Sequence, residues 1–210
     1  MSRTGQQAAV ELLREPLAGL GFRKRAGAIF TIELDDPVIG WLGLNAATEH
    51  QPAGQASVNP VVGVRHQTVE RIVAVLLGER FHPYVGPTVS TPIGYVMPER
   101  RFATWEFGDG DSQGQADRLL TALEDYGLPF MRDRTGLDSI RDAIEQGNAE
   151  FPEYQLPVVL ALLGRHDEAA RTIDERLEQL GDADNPFARE FRAYAKRFAE
   201  HAGDLTALAG

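Results

Sequence analysis

The chain has 210 residues, no cysteine, and 21 basic against 31 acidic side chains, a formal net charge of -10. The missing cysteines exclude disulfides, thiolate zinc or iron–sulfur sites and a cysteine nucleophile, and a hydrophobic content of 43% excludes wholesale disorder. The negative balance argues against nucleic acid as a partner, because phosphate binding relies on clustered Lys and Arg.

Taken in chain order, residues 5–19 read as a helix. Ala9, Leu12, Leu13, Leu17 and Leu20 recur near the 3.6 period, Gly21 supplies a stop, and Pro16 implies a kink or an early end. Residues 22–34 alternate with period two and predict one half-buried strand bent near Gly27. Asp35-Asp36-Pro37 is a turn into a second strand over 38–48, followed by a polar loop around residues 50–54. A third strand over 56–64 contains Pro60, which marks an edge or a bulge. From His66 to Leu77 the period turns helical, with Val69, Ile72, Val73, Leu76 and Leu77 in one stripe ended by Gly78. Residues 84–97 supply one or two short strands and 102–107 another, with Ala103, Trp105 and Phe107 on one face.

Past Gly108 the strands stop. Ala116, Leu119, Leu120, Leu123 and Tyr126 predict a helix capped by Asp111 or Ser112 and ended by Gly127-Leu128-Pro129. Thr135 caps the next helix, and three more follow over 152–163, 167–180 and 186–201, the last opened by Asn185-Pro186. Strands first and helices afterwards is the α+β pattern. The expectation is an antiparallel sheet of about five strands with packed helices, then an all-helical C-terminal half. Residues 1–110 and 111–210 are the expected regions, either separate or continuous as one domain. Charge follows the same division. Residues 1–110 hold 10 basic and 11 acidic side chains, net -1, whereas 111–210 hold 11 and 20, net -9.

Several constellations invite a site. From Asp109, oxygen-bearing side chains fall at calcium-loop positions 1, 3, 5 and 9 (Asp109, Asp111, Gln113, Asp117), but position 12 is Leu120 rather than Glu. That leaves a strand-to-helix turn whose acids favour the helix dipole. His66 and Glu70 have the i, i+4 spacing of metal ligands, without a third ligand at matching spacing. Arg23-Lys24-Arg25 and Arg100-Arg101 are short basic clusters that suit an anion fork or a solvated face. No G-x-S-x-G, H-E-x-x-H, P-loop or G-x-G-x-x-G motif is present, so no catalytic residue, metal or cofactor is expected. The longest apolar run, 72–77, is far short of a membrane span, and Met1 to Gln7 has no apolar run of a signal peptide behind it. A cytoplasmic location is therefore expected. Nineteen of the 21 basic residues are Arg, a usage that fits a bacterial genome rich in GC.

Two resemblances add to this. The turn Leu163-Gly164-Arg165-His166-Asp167-Glu168-Ala169 between two helices resembles a tetratricopeptide helix pair over about 152–180. The opening Leu20-Gly21-Phe22-Arg23-Lys24-Arg25 with Phe30, and the later Thr104-Trp105-Glu106-Phe107, resemble a family of small uncharacterised bacterial α+β proteins over about 5–145. That family has immunity-protein-like members, so the resemblance implies a protein that neutralises another by binding it.

The leading functional expectation is a non-enzymatic module that binds a basic protein partner through Asp167, Glu168, Asp174, Glu175 and Glu178 on exposed helix faces. The alternative is a small-molecule-binding protein or enzyme with a pocket between the sheet and its helices, lined by Trp41, His66, Arg100, Arg101 and Trp105. A structural subunit or homodimer is the third reading.

Overall fold

A computed structural model describes residues 3–46, 56–108 and 110–209, with side chains from residue 6 onward. The polar loop at 50–54, the strand end at Thr48 and Asp109 of the acidic turn lie outside the described residues. The fold is α+β. Helix α1 (Arg3–Gly19) precedes strands β1 (Arg23–Lys24), β2 (Ile29–Glu33), β3 (Val38–Ala46) and β4 (Ala56–His66). Helix α2 (Gln67–Leu77), strands β5 (Val89–Pro92) and β6 (Trp105–Phe107), and helices α3 (Ser112–Ala122), α4 (Leu128–Arg132), α5 (Leu137–Glu145), α6 (Pro152–Leu162), α7 (His166–Leu180) and α8 (Pro186–His201) follow. The sheet order is β1-β2-β3-β4-β5, with β6 also paired to β4.

The chain forms two compact units that interleave in sequence. Residues 1–65 and 90–135 make the sheet unit; residues 66–89 and 136–210 make the helical unit. Helix α2 thus joins the C-terminal helices, while α3 and α4 belong with the sheet, a division that the composition step at residue 110 does not express. Counted by unit, the sheet part has 11 basic and 14 acidic residues, net -3, and the helical part 10 and 17, net -7. The acidity is concentrated in the helical unit, less sharply than a cut at 110 implies.

In the sheet unit, period-2 alternation does the sorting. Phe30 pairs across to Leu42 and Ile32 to Gly40 on one face, while Thr31 pairs to Trp41 on the other. Helix α4 lies on the first face: a Cβ on Gly40 would stand 2.8 Å from Met131 Sδ. Residues 22–34 are two strands rather than one, because Gly27 at φ +57 makes a hairpin turn that antiparallel β1 and β2 then close. Helix α1 continues through Pro16 to Gly19; Pro16 lacks its own N–H, yet its carbonyl still accepts from Leu20 at 3.2 Å. The expected stop at Gly127-Leu128-Pro129 is also absent. A π-turn over Leu123–Gly127 leads into α4, where Pro129 occupies a first-turn position that needs no N–H. Thr135 does not cap α5: its hydroxyl donates to Asp35 at 3.3 Å, and Gly136 is the N-cap residue.

In the helical unit, α6 and α7 form a hairpin across the turn 163–165, with Gly164 left-handed at φ +76 and Ala169 fully buried. Asn185 caps α8 as its Asn-Pro pair predicts, accepting from Ala188 N–H at 2.8 Å. The core is aromatic. Tyr154 and Tyr194 meet edge to face at 5.1 Å, with Phe191 5.7 Å from each.

Candidate functional site

The five residues expected to line a pocket are not brought together. Trp105 is 6% exposed and Trp41 7%. Helix α3 packs on β6, whose Trp105 and Phe107 are buried while Glu106 is exposed, so both aromatic rings face the helical layer. Trp41 alternates with Gly40 and lies on the other face, its ring so close over Gly43 that a Cβ there would be 2.5 Å from Trp41 Cη2. That second face is polar: Arg25 Nε donates to Thr31 Oγ1 at 2.9 Å, and Ser57 Oγ donates to Glu106 Oε1 at 2.6 Å. Arg100 and Arg101 are exposed, on a loop folded back so that Arg101 N–H reaches Gly94 O at 3.1 Å. They stand at the surface rather than in a pocket wall. The other basic cluster is tied into its own hairpin, with Arg23 on Glu33 at 2.9 Å and Lys24 Nζ on the carbonyls of Arg25 and Gly27.

His66 belongs to the helical unit and serves as the N-cap of α2, its Nδ1 accepting from Val69 N–H at 3.3 Å. Glu70, its expected metal-ligand companion, accepts from Gln155 Nε2 at 2.8 Å. Both are committed to packing α2, and among the described residues no three His, Asp or Glu side chains converge on a metal-sized position. Asp111 is likewise a cap, its carboxylate accepting from Gly114 N–H at 2.9 Å at the start of α3.

The capping role makes His66 pH-sensitive in a defined direction. An accepting Nδ1 requires the neutral ring, and burial pushes the pKa below its ordinary 6.5. The unfolded chain therefore takes up the proton first. The contribution is complete above pH 6.5 and is lost as pH falls from there toward the lower folded pKa. Urea unfolding of the helical unit is expected to weaken by about 1 kcal/mol between pH 7.5 and about 5, the usual worth of a cap. His66→Asn, which caps without titrating, should flatten that slope; an unchanged slope would refute the assignment.

The five acidic residues all lie on α7, and the helix sorts them. Asp167, Asp174 and Glu178 fall at i, i+7 and i+11 on one face, with Arg171 between them and Glu175 alongside. Asp167, Asp174, Glu175 and Glu178 are exposed and stand outside every ion pair of the described residues. Glu168 differs: it is half-buried and bonded to Arg165 Nε at 2.6 Å, which holds its carboxyl below the usual range. It braces the α6–α7 turn rather than facing outward.

Beside this acidic face runs a feature that charge counting does not reveal. An open groove of about 590 Å³ lies between α7 and α8, lined by Ala170, Ile173, Asp174 and Leu177 on one side and by Arg192, Ala195, Lys196, Phe198, Ala199 and Ala202 on the other. Its floor is apolar and its charges sit at the rims, Asp174 on α7 and Lys196 on α8. The Arg192 guanidinium is held by the carbonyls of Gly181 at 2.7 Å and Ala183 at 2.8 Å. The sequence signal for it is a second apolar stripe on each helix: Ala170 and Leu177 beside the core residues Ala169 and Ile173, and Ala199 and Ala202 beside Ala195 and Phe198.

No family model, curated protein or solved structure matches this chain. Among the described residues no helix is long and apolar enough to cross a membrane.

Proposed function

We propose that the chain is a non-enzymatic protein-binding module that docks a basic partner on the α7 face of its helical unit. The observation that carries this reading is the set of four exposed carboxylates outside every ion pair of the described residues, Asp167, Asp174, Glu175 and Glu178, of which Asp174 lines an open apolar groove. Carboxylates already satisfied by local arginines steer nothing, whereas unpaired ones of one sign raise the encounter rate with an oppositely charged surface. The apolar floor supplies what charge alone lacks, a surface whose desolvation holds the complex once formed. Binding is then the activity itself, as in immunity-type neutralisation of a toxin.

The test is affinity purification from the source cells at low ionic strength, using the wild-type chain and the variant Asp167→Lys, Asp174→Lys, Glu178→Lys. Wild type should retain a basic protein that salt releases and that the variant does not hold. Equal retention by both chains would overturn the reading.

A further inference from the structure

We infer that the α7–α8 groove receives a single amphipathic helix of the partner, oriented with its basic flank over α7 and its acidic flank over Lys196 of α8. The inference rests on the protein-binding reading and adds the shape and polarity of what binds.

Length comes first. The α7 wall runs from Ala170 to Leu177, about 10 Å at 1.5 Å per residue, and the longer α8 wall from Arg192 to Ala202, about 15 Å. That is nearly three helical turns, bounded by helices on both sides as a third helix packed on a pair would be. The exposed lining residues Ala170, Ala199 and Ala202 are small and let a helix backbone approach closely, while its larger side chains reach the buried Ile173, Ala195 and Phe198.

Backbone chemistry then decides between occupants. An extended peptide would lay its N–H and C=O groups on an apolar lining that offers no partner for them, and buried unpaired backbone groups are costly. A helix satisfies those groups internally and presents only side chains. A small polar ligand fits poorly for the complementary reason, because the groove's polar groups stand at its rims and do not converge on one point.

Charge sets the orientation. The α7 edge carries Asp167, Asp174 and Glu178 against the lone Arg171. On the α8 edge Lys196 lies 3.9 Å from Glu200 with both side chains exposed, a contact too weak to hold it from another carboxylate. The complementary helix has an apolar stripe at i, i+3/i+4 and i+7, Arg or Lys on one flank and Glu on the other.

The test uses the full chain and a fluorescein-labelled, stapled peptide of about 14 residues, some 21 Å of helix. It carries Leu at i, i+3 and i+7, Arg on the flank meant for α7 and Glu on the opposite flank. Two companions swap the flanks or break the helix with a central proline. Anisotropy should show the matched peptide binding about tenfold or more tightly than either companion. Ala199→Arg, an exposed helix position, should abolish that binding with an unchanged circular dichroism spectrum, and Asp174→Lys with Glu178→Lys should favour the swapped peptide. Equal affinity for matched and swapped probes, equal affinity for the proline probe, or a concentration-dependent dimer of the chain that Ala199→Arg dissolves would overturn the inference. The two proposals fail separately: a partner lost on α7 charge reversal while no helical probe binds leaves the protein-binding reading standing and removes only the helix.

Discussion

Tyr194→Ala is expected to unfold the helical unit at temperatures where the wild-type protein is folded. The ring is fully buried at the centre of the aromatic cluster, in contact with Tyr154, Phe191 and Phe198 at centroid distances of 5.1, 5.7 and 6.3 Å. Truncating a buried aromatic to alanine costs about 3–5 kcal/mol in transfer and cavity terms. The hydroxyl adds to this, because it donates to Tyr154 O at 2.7 Å and its loss leaves a buried carbonyl without that donor. Against a total stability of about 5–15 kcal/mol, such a loss leaves little margin. For a unit of this size the melting temperature should fall by roughly 20 °C, at about 4–8 °C per kcal/mol. Tyr194→Phe separates the two contributions: it keeps the ring and should lose only about 1 kcal/mol, the worth of the hydrogen bond. Thermal denaturation followed by circular dichroism measures both. A drop of less than a few degrees for the alanine variant would mean that the cluster does not organise this core.

The second large effect concerns binding. Reversing Asp167, Asp174 and Glu178 to Lys should weaken the partner complex by about 3 kcal/mol or more, two orders of magnitude, because like charges across an interface cost several kcal/mol in total. The loss should lie partly in the association rate and should shrink as salt is added, since the screening length falls from about 10 Å at 0.1 M to about 3 Å at 1 M. Stability should change by no more than about 1 kcal/mol, the helix-dipole worth of Asp167 in the first turn of α7, as these side chains are exposed and make no ion pair within the described structure. Glu168→Gln serves as the contrast. That residue holds the α6–α7 turn through Arg165, so it should leave partner affinity nearly intact. Surface plasmon resonance across a salt series resolves both rate constants.

What was legible in the sequence follows from how local the cause is. The Asn185-Pro186 start of α8, the Gly78 stop of α2 and the alternation of β2 and β3 are short-range effects of cap chemistry and side-chain period, and they stand where the residues place them. The segment after Gly108 was harder. Proline and glycine at 127–129 carry the usual mark of a helix end, but a π-turn re-registers the helix and puts Pro129 where its missing N–H is harmless. Likewise the break at Gly27 is a hairpin because two residues on either side suffice to pair, which alternation alone cannot distinguish from a bend. The interleaving of the two units is non-local and left no compositional trace, since α2 has the same apolar stripe whichever unit receives it.

The candidate site divides in the same manner. The acidic side chains of α7 were readable from their spacing, and all but Glu168 are free on the surface. Trp41, Trp105, Arg100, Arg101 and His66 share only the residue types of a pocket lining, and the structure gives them separate places. The two Trp residues lie on opposite sheet faces, the arginines stand in solvent, and the histidine caps α2. The groove is not legible in the sequence because Ala170, Ala199 and Ala202 are ordinary helix-forming residues until the two helices are placed side by side.

The most direct test of the α7–α8 groove as the docking surface is site-specific photocrosslinking in the source cells. Benzoylphenylalanine is placed at Lys196, an exposed and already long side chain on the groove rim, and at Glu124 on the exposed surface of the sheet unit as a control. A discrete crosslinked protein is expected from position 196, abolished in the Asp167→Lys, Asp174→Lys, Glu178→Lys background, and no such band from Glu124. A partner captured from Glu124, or one captured from position 196 irrespective of the α7 charges, would contradict the groove as docking surface.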